Sequence, residues 1–313
     1  MIDPDVEVFV AASTAFFPPS PGPRPIDEQR RLYDAYAAAC TPPRPAGLVV
    51  EEAAIGGRGG PVALRLYRPA AGGTGTVLYF HGGGFVLGGL DSHEFVTARL
   101  ALDLGAAVVA VDYRLAPEHR SPAAFEDCLA ATEAAIDGQM PFAGAAGPLA
   151  LAGDSAGGTL AAAVALAVRD RRVSPIAAMA LVYPMLAPEP TPPAALTEAE
   201  APMLTAAEVI AYRDAYLGGR EPGPYDFPLL ADRFDGLPPA LLLPVEHDPL
   251  RDDASAFAER LAAAGGAAEL VVGAGLVHGC LRAIGRSTAV DALYGRLAGF
   301  LGAALGTPGT SAA

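Results

Sequence analysis

The stretch Gly153-Asp154-Ser155-Ala156-Gly157-Gly158 places a serine between glycines. A serine hydroxyl attacks carbonyl carbon only when a base removes its proton, so the chemistry at issue is acyl transfer through a covalent intermediate. The apolar run Leu149–Ala152 reads as a strand, and the alanine-rich run Thr159–Arg169 reads as a helix. Strand, sharp turn and helix is the setting that lifts a serine clear of a sheet. Glycine suits positions 153 and 157 if side chains there would collide with a neighbouring strand or helix. The Ala156 amide opens the helix, where an N–H lacks an intrahelical acceptor and can bind an anion. A glycine-rich turn with an incidental serine looks the same over five residues, so the rest of the chain decides.

Three further groups are needed. The first is a set of donors for a developing oxyanion. His81-Gly82-Gly83-Gly84-Phe85 follows a short apolar strand, and its consecutive glycines leave amides open to a ligand. Gly83, Gly84 and Ala156 are the expected donors, and His81 is expected to brace the loop. The second group is a base. Beyond Ser155 the choices are His247 and His278. His278 lies in a glycine-flanked segment after the last strand, where it can reach back over the serine, whereas His247 adjoins the best acid. His93 and His119 precede the serine and read as surface or bracing residues. The third group is a carboxylate to orient the base. Asp248 follows a strand directly. Asp252 and Asp253 fall in the opening turn of a helix, where acids favour the dipole, and Glu246 is a weaker rival. Ser155, Asp248 and His278 then form the catalytic set, and no metal or organic cofactor is called for.

These residues need a scaffold. Leu48–Ile55 and Val62–Tyr67 suggest an opening hairpin. Strands are expected at Thr76–Phe80, Ala106–Val111, Ile176–Tyr183, Ala240–Val245 and Ala268–Val272, the last of the sheet, with Gly273–Gly279 a loop. Helices are expected at Ile26–Cys40, Ser92–Leu104, Pro122–Ile136, Ser255–Ala264 and Ser287–Leu305. Such alternation implies a mostly parallel sheet covered on both faces. Asp112 to His119 reads as a loop bracing the floor of the site. Residues 1–45 are acidic, then Pro-rich, then helical, and fit an arm or part of a lid. Residues 184–235 interrupt the alternation with many prolines and a helix over Thr205–Leu217, opening on Thr205 as N-cap with Glu208 three residues on. Such an insertion between strands falls near strand ends, where ligands bind, and reads as a cap. The catalytic body is then 46–183 plus 236–305, with 306–313 a disordered tail.

Composition narrows the class. The chain has 313 residues, 52% apolar, with net charge −14. The charge argues against nucleic acid and anionic membranes as partners. No apolar run approaches the roughly eighteen residues of a membrane span. The opening residues carry Asp3, Asp5 and Glu7 and no basic residue, unlike a secretory signal, so a cytoplasmic protein is expected. Cys40, Cys128 and Cys280 lack metal-site spacing and fit a reducing compartment. The expected partner is a small-molecule ester, with a homodimer the one assembly allowed for.

With these residues assembled, the chain resembles the hormone-sensitive-lipase-like (bacterial family IV) carboxylesterases of the α/β-hydrolase fold. The likeness rests on His81-Gly82-Gly83-Gly84-Phe85, Asp112-Tyr113-Arg114-Leu115-Ala116-Pro117-Glu118, Gly153-Asp154-Ser155-Ala156-Gly157-Gly158, and Asp248-Pro249-Leu250-Arg251-Asp252 with His278-Gly279. The resemblance implies an α/β fold with a mostly parallel central sheet, helices on both faces and a helical cap. It also implies a Ser155-Asp248-His278 triad, Gly83, Gly84 and Ala156 as oxyanion donors, and esters of short to medium acyl chains as substrates. Two positions depart from the family pattern. Arg120-Ser121-Pro122 stands where Pro-Phe-Pro is common, and Cys280 stands where an aromatic is common. Both are expected near the site, Cys280 as a small wall residue. The alternative is a biosynthetic tailoring enzyme (acyl transfer, elimination or cyclisation) with the same site, or a small-molecule binding protein without turnover. The intact Ser155, Asp248 and His278 count against the latter.

Overall fold

The computed structural model of the chain describes residues 1–18, 20 and 24–307. Residues 308–313 of the expected tail, and 19 and 21–23 of the Pro-rich stretch, lie outside the described residues. Two helices come first, α1 (Pro4–Thr14) and α2 (Ile26–Cys40). A hairpin follows, β1 (Leu48–Gly57) and β2 (Gly60–Pro69). Then come β3 (Thr76–Phe80), α3 (Glu94–Leu104), β4 (Ala107–Asp112), α4 (Ala123–Ile136), β5 (Leu149–Asp154), α5 (Ala156–Arg171) and β6 (Ile176–Val182). The stretch after β6 carries α6 (Ala194–Thr197) and α7 (Ala206–Leu217). The chain closes with β7 (Ala240–Leu243), β8 (Val245–His247), α8 (Arg251–Ala263), β9 (Ala268–Leu270), β10 (Gly273–Val277) and α9 (Thr288–Leu305).

Eight strands form one sheet in the order β1-β2-β4-β3-β5-β6-β7-β9. The hairpin pairs antiparallel, as does β2 with β4, and every other pairing is parallel. Period-two alternation divides each inner strand between two cores. Leu78, Phe80 and Leu151 face the side of α4, α5 and α8, while Val77, Tyr79 and Ala152 face α3 and α9. Burying a leucine or phenylalanine in such a core is worth about 1.5–3 kcal/mol. Helix α5 is buried throughout Ala156–Val168. Its alanines keep the helix surface shallow enough to lie flat on the sheet below the serine.

Most expected elements appear close to where they are expected, with four differences. Residues 4–14, whose acidity alone suggested no element, form α1 because Asp3 caps the Asp5 and Val6 amides and Pro4 starts the helix. The strand expected at 240–245 stops at Leu243, since Pro244 has no N–H to continue the ladder. Gly273–Val277, expected as loop, is a strand, and Ala268–Leu270 is therefore not the last. It pairs parallel with β8 in a separate two-stranded sheet, with an irregular register at Gly275, whose φ is +69°. Helix α8 also starts earlier than expected, at Arg251. In α7 Thr205 and Glu208 form the reciprocal capping box that their spacing predicts.

The N-terminal helices attach to the loops above the sheet. Arg30 on α2 forks onto Glu118 and also donates to the Val86 and Ala116 carbonyls. Among the described residues no helix is long and apolar enough to cross a membrane.

Candidate active site

Ser155 occupies the turn between β5 and α5 with φ +54° and ψ −124°. A non-glycine residue there stores about 1–3 kcal/mol of strain that its surroundings must hold in place. The packing explains the flanking glycines. A Cβ on Gly157 would lie 1.9 Å from the Phe80 carbonyl oxygen, and one on Gly153 would lie 2.4 Å from the Gly157 carbonyl carbon. The Ser155 amide donates to the Val182 carbonyl at 2.8 Å, fixing the turn to β6.

The three expected catalytic side chains meet. His278 Nε2 lies 2.9 Å from Ser155 Oγ, and His278 Nδ1 lies 2.7 Å from Asp248 Oδ2. A carboxylate only accepts, so Nδ1 carries the ring proton and Nε2 presents its lone pair to the serine hydroxyl. Asp248 is fully buried, and its other oxygen accepts the Leu250 amide at 2.9 Å. The Tyr183 ring lies against the imidazole, centroids 4.6 Å apart. The rejected acids have other work. Asp252 accepts the Ala194 amide, and Asp253 accepts the amides of Leu186, Ala187 and Thr191, so both tether the 184–235 stretch to α8. Glu246 accepts the Gly275 amide, and His247 Nδ1 lies 3.2 Å from Glu198.

The glycine loop is divided between bracing and open amides. The Gly82 amide is committed to Asp154 Oδ1 at 3.2 Å and to His93 Nε2 at 3.3 Å. His81 donates from Nδ1 to the Gly82 carbonyl, stacks on Tyr113 and receives the Tyr113 hydroxyl on its own carbonyl. Tyr113 and Arg30-bound Glu118 thus give the 112–119 segment the bracing role expected of it. The amides of Gly83, Gly84 and Ala156 donate to no described group and border the cavity beside Ser155. Gly83 (φ +124°) and Gly84 (φ +60°) are obligatory here. A Cβ on the first would strike the Leu87 carbonyl at 2.2 Å, and on the second the Tyr212 ring at 2.5 Å.

Sequence reading assigned no role to Asp154, whose surroundings are electrostatically specialised. Burial works against its ionisation, but His93, the Tyr79 hydroxyl and Arg282 outweigh that and hold its pKa at about 2. Burial lowers His81 to about 3, with His93 adding to the effect, so this ring stays neutral. Among the described residues no group of three or more His, Cys, Asp or Glu is placed to hold a metal ion.

Residues 77–282 match the family model described as alpha/beta hydrolase fold. Esterase LipI of Mycobacterium tuberculosis is 41% identical over 240 residues, 74% of this chain and 75% of its own. The hyperthermophilic esterase from the archaeon Pyrobaculum calidifontis superposes with a TM-score of 0.87 at 34% identity, covering 96% of this chain and 98% of that one. An esterase of the bacterial hormone-sensitive lipase family does so with a TM-score of 0.85 at 30% identity, covering 97% and 99%. The chain belongs to the hormone-sensitive-lipase-like esterases of the α/β-hydrolase fold.

Ser155 and His278 open onto one cavity of about 750 Å³. Its walls come from three sources. The catalytic loops form the floor. Residues of the first forty, among them Ser13, Phe17 and Tyr33, form one side, and residues of the post-β6 stretch, among them Leu204, Val209 and Tyr212, form another. The two positions departing from the family pattern do not line it. Cys280 is fully buried behind the wall, and Ser121 bonds to Asp226 and Arg220 away from the cavity. The wall residue after His278 and Gly279 is instead Arg282, which sequence reading passed over. Its only signal was position, four residues beyond the base.

Proposed function

We propose that this chain is a serine carboxylesterase that hydrolyses short- to medium-chain carboxylic esters, with Ser155, His278 and Asp248 as its triad. The observation that carries the reading is the unbroken relay from Ser155 Oγ through His278 to buried Asp248, at 2.9 and 2.7 Å. His278 Nε2 takes the hydroxyl proton as Ser155 Oγ bonds to the ester carbonyl carbon. Asp248 keeps the ring in the required tautomer and stabilises the imidazolium. The Gly83, Gly84 and Ala156 amides receive the oxyanion, each contributing about 3–4 kcal/mol to the transition state. The C–O bond to the alcohol breaks as Nε2 returns its proton to the leaving oxygen. Water, deprotonated by the same nitrogen, then releases the acid and restores Ser155.

Residues 1–45 and 184–235 together act as the cap that bounds the substrate, over a body formed by 46–183 and 236–305. A cavity of about 750 Å³ is within the range of small-ligand sites and favours modest acyl chains. The test is release of p-nitrophenol from its acetate, butyrate, octanoate and palmitate. Wild type should peak among the shorter chains, and Ser155→Ala should lose about 10⁴-fold or more in kcat with its melting temperature nearly unchanged. Undiminished hydrolysis by Ser155→Ala would overturn the mechanism.

A further inference from the structure

Arg282 lies in the short 3-10 turn Cys280–Ala283 that follows the catalytic histidine, and it lines the same cavity as Ser155. Among the described residues it is the one buried arginine, 6% exposed. The next most shielded, Arg169 and Arg65, are paired with carboxylates of Asp170 and of Glu52, Asp91 and Glu94. Arg282 has no Asp or Glu within 4 Å among the described residues, and Asp154 acts on it only from longer range. Its hydrogen bonds go to neutral acceptors: Nη1 to the Ser92 carbonyl at 2.9 Å and Nη2 to Tyr33 Oη at 2.8 Å. Aromatic rings surround the guanidinium, with Tyr33, Tyr36 and Phe95 centroids 5.1, 5.3 and 4.9 Å away.

Removing a guanidinium from water costs several kcal/mol unless charge is returned to it. Aromatic faces and two neutral acceptors return part of that. They leave three of its five N–H groups without a described partner. Two hydroxyls stand at the same wall with their own protons uncommitted. Tyr33 Oη accepts from Arg282, and Tyr36 Oη accepts from Ser13 Oγ at 3.1 Å. A cation and two hydroxyl donors on aromatic walls match the geometry of a carboxylate, which only accepts. The protein carries net charge −14, so this positive site is a local construction and not part of a basic surface.

We propose that Arg282, with Tyr33 and Tyr36, docks a carboxylate at the far end of the substrate, so that the preferred ester carries a second, free acid group. The proposal rests on the esterase reading of Ser155 and names its substrate class. The shared chemistry is a carboxylate held away from the scissile bond, either on the acyl side, as in a half-ester of a dicarboxylic acid, or on the alcohol side.

The test compares charged and neutral partners of equal length. On the acyl side these are mono-p-nitrophenyl adipate and suberate against the same compounds with the free acid methylated. On the alcohol side they are 4-carboxybutyl acetate against its methyl ester. Wild type should favour the free acid by about tenfold or more in kcat/KM in one arm, which also identifies the side. That ratio, taken within each protein, should fall toward one in Arg282→Gln, fall partly in Tyr36→Phe, and be partly kept in Arg282→Lys. A wild-type ratio at or below one in both arms would overturn the proposal, as would a ratio unmoved by Tyr36→Phe and by whichever Arg282 variants fold. Failure of the esterase reading is a separate result, the absence of Ser155-dependent release from p-nitrophenyl butyrate.

Discussion

Asp248 and Asp252 are four residues apart, and their surroundings give them different work. The first orients His278, while the second holds the Ala194 amide 2.7 Å away and Arg251 at 3.0 Å. Asp248→Asn should therefore lower kcat by about 10⁴-fold, because an amide can hold the wrong imidazole tautomer. Asp252→Asn should change kcat less than about threefold, given that its contacts, to Ala194 and Arg251, lie outside the relay. Steady-state kinetics on p-nitrophenyl butyrate checks both, and a reversed order would mean the triad acid is misassigned. At this scale the grouping of Ser155, His278 and Asp248 was legible before any fold was known, because each sits beside glycines or strand ends that sequence marks. The supporting residues were not legible. Asp154 braces Gly82 across seventy-two positions, and Arg282 meets Tyr33 across 249. No local spacing encodes such contacts.

Elements set how rigid the donor loop can be. The inner face of α7 packs on that loop, with Tyr216 stacked on Phe85 at 4.0 Å and Tyr212 filling the space above Gly84. Gly84→Ala should cost activity by about 10²-fold or more, since its Cβ meets the Tyr212 ring and its φ of +60° disfavours a side chain. The loss should fall on kcat with the circular dichroism spectrum retained, and a wild-type kcat would show that the loop does not set the oxyanion donors. Most of the strands and helices legible in the sequence carry a clear apolar run, or a cap placed before such a run as in α7. The β8–β10 pair escaped sequence reading. Three-residue Val245–His247 and glycine-broken Gly273–Val277 carry too little pattern, and only their mutual pairing makes them strands. That pairing fixes the spacing of Asp248 and His278, so the least legible sheet sets the most important distance.

For the molecule as a whole, buried titratable groups couple the site to acid stability. His81, at about 3 in the folded state, should take a proton near 6.5 when unfolded. Between those values the unfolded chain binds the extra proton. Stability from His81 is therefore complete above about 6.5 and is lost by up to about 1.4 kcal/mol per pH unit as pH falls toward 3. Asp154, at about 2, adds stability above its unfolded value near 3.9, lost as pH falls toward 2. Asp253 opposes them. Burial pushes it up to about 6, so its contribution is greatest in acid and declines as pH rises to 6. Because the signs differ, the measurement is the difference between wild type and His81→Asn in urea midpoints from pH 7 to 4. The variant should show the shallower loss on acidification. Parallel curves would mean His81 is protonated in the folded protein.

The helices at the start of the chain supply a wall of the cavity, yet they contribute no strand to either sheet and no group to the relay. That wall and the Ser155-His278-Asp248 relay are thus written in separate parts of the chain. A substitution in the first forty residues can reshape one side of the cavity without touching Ser155, His278 or Asp248.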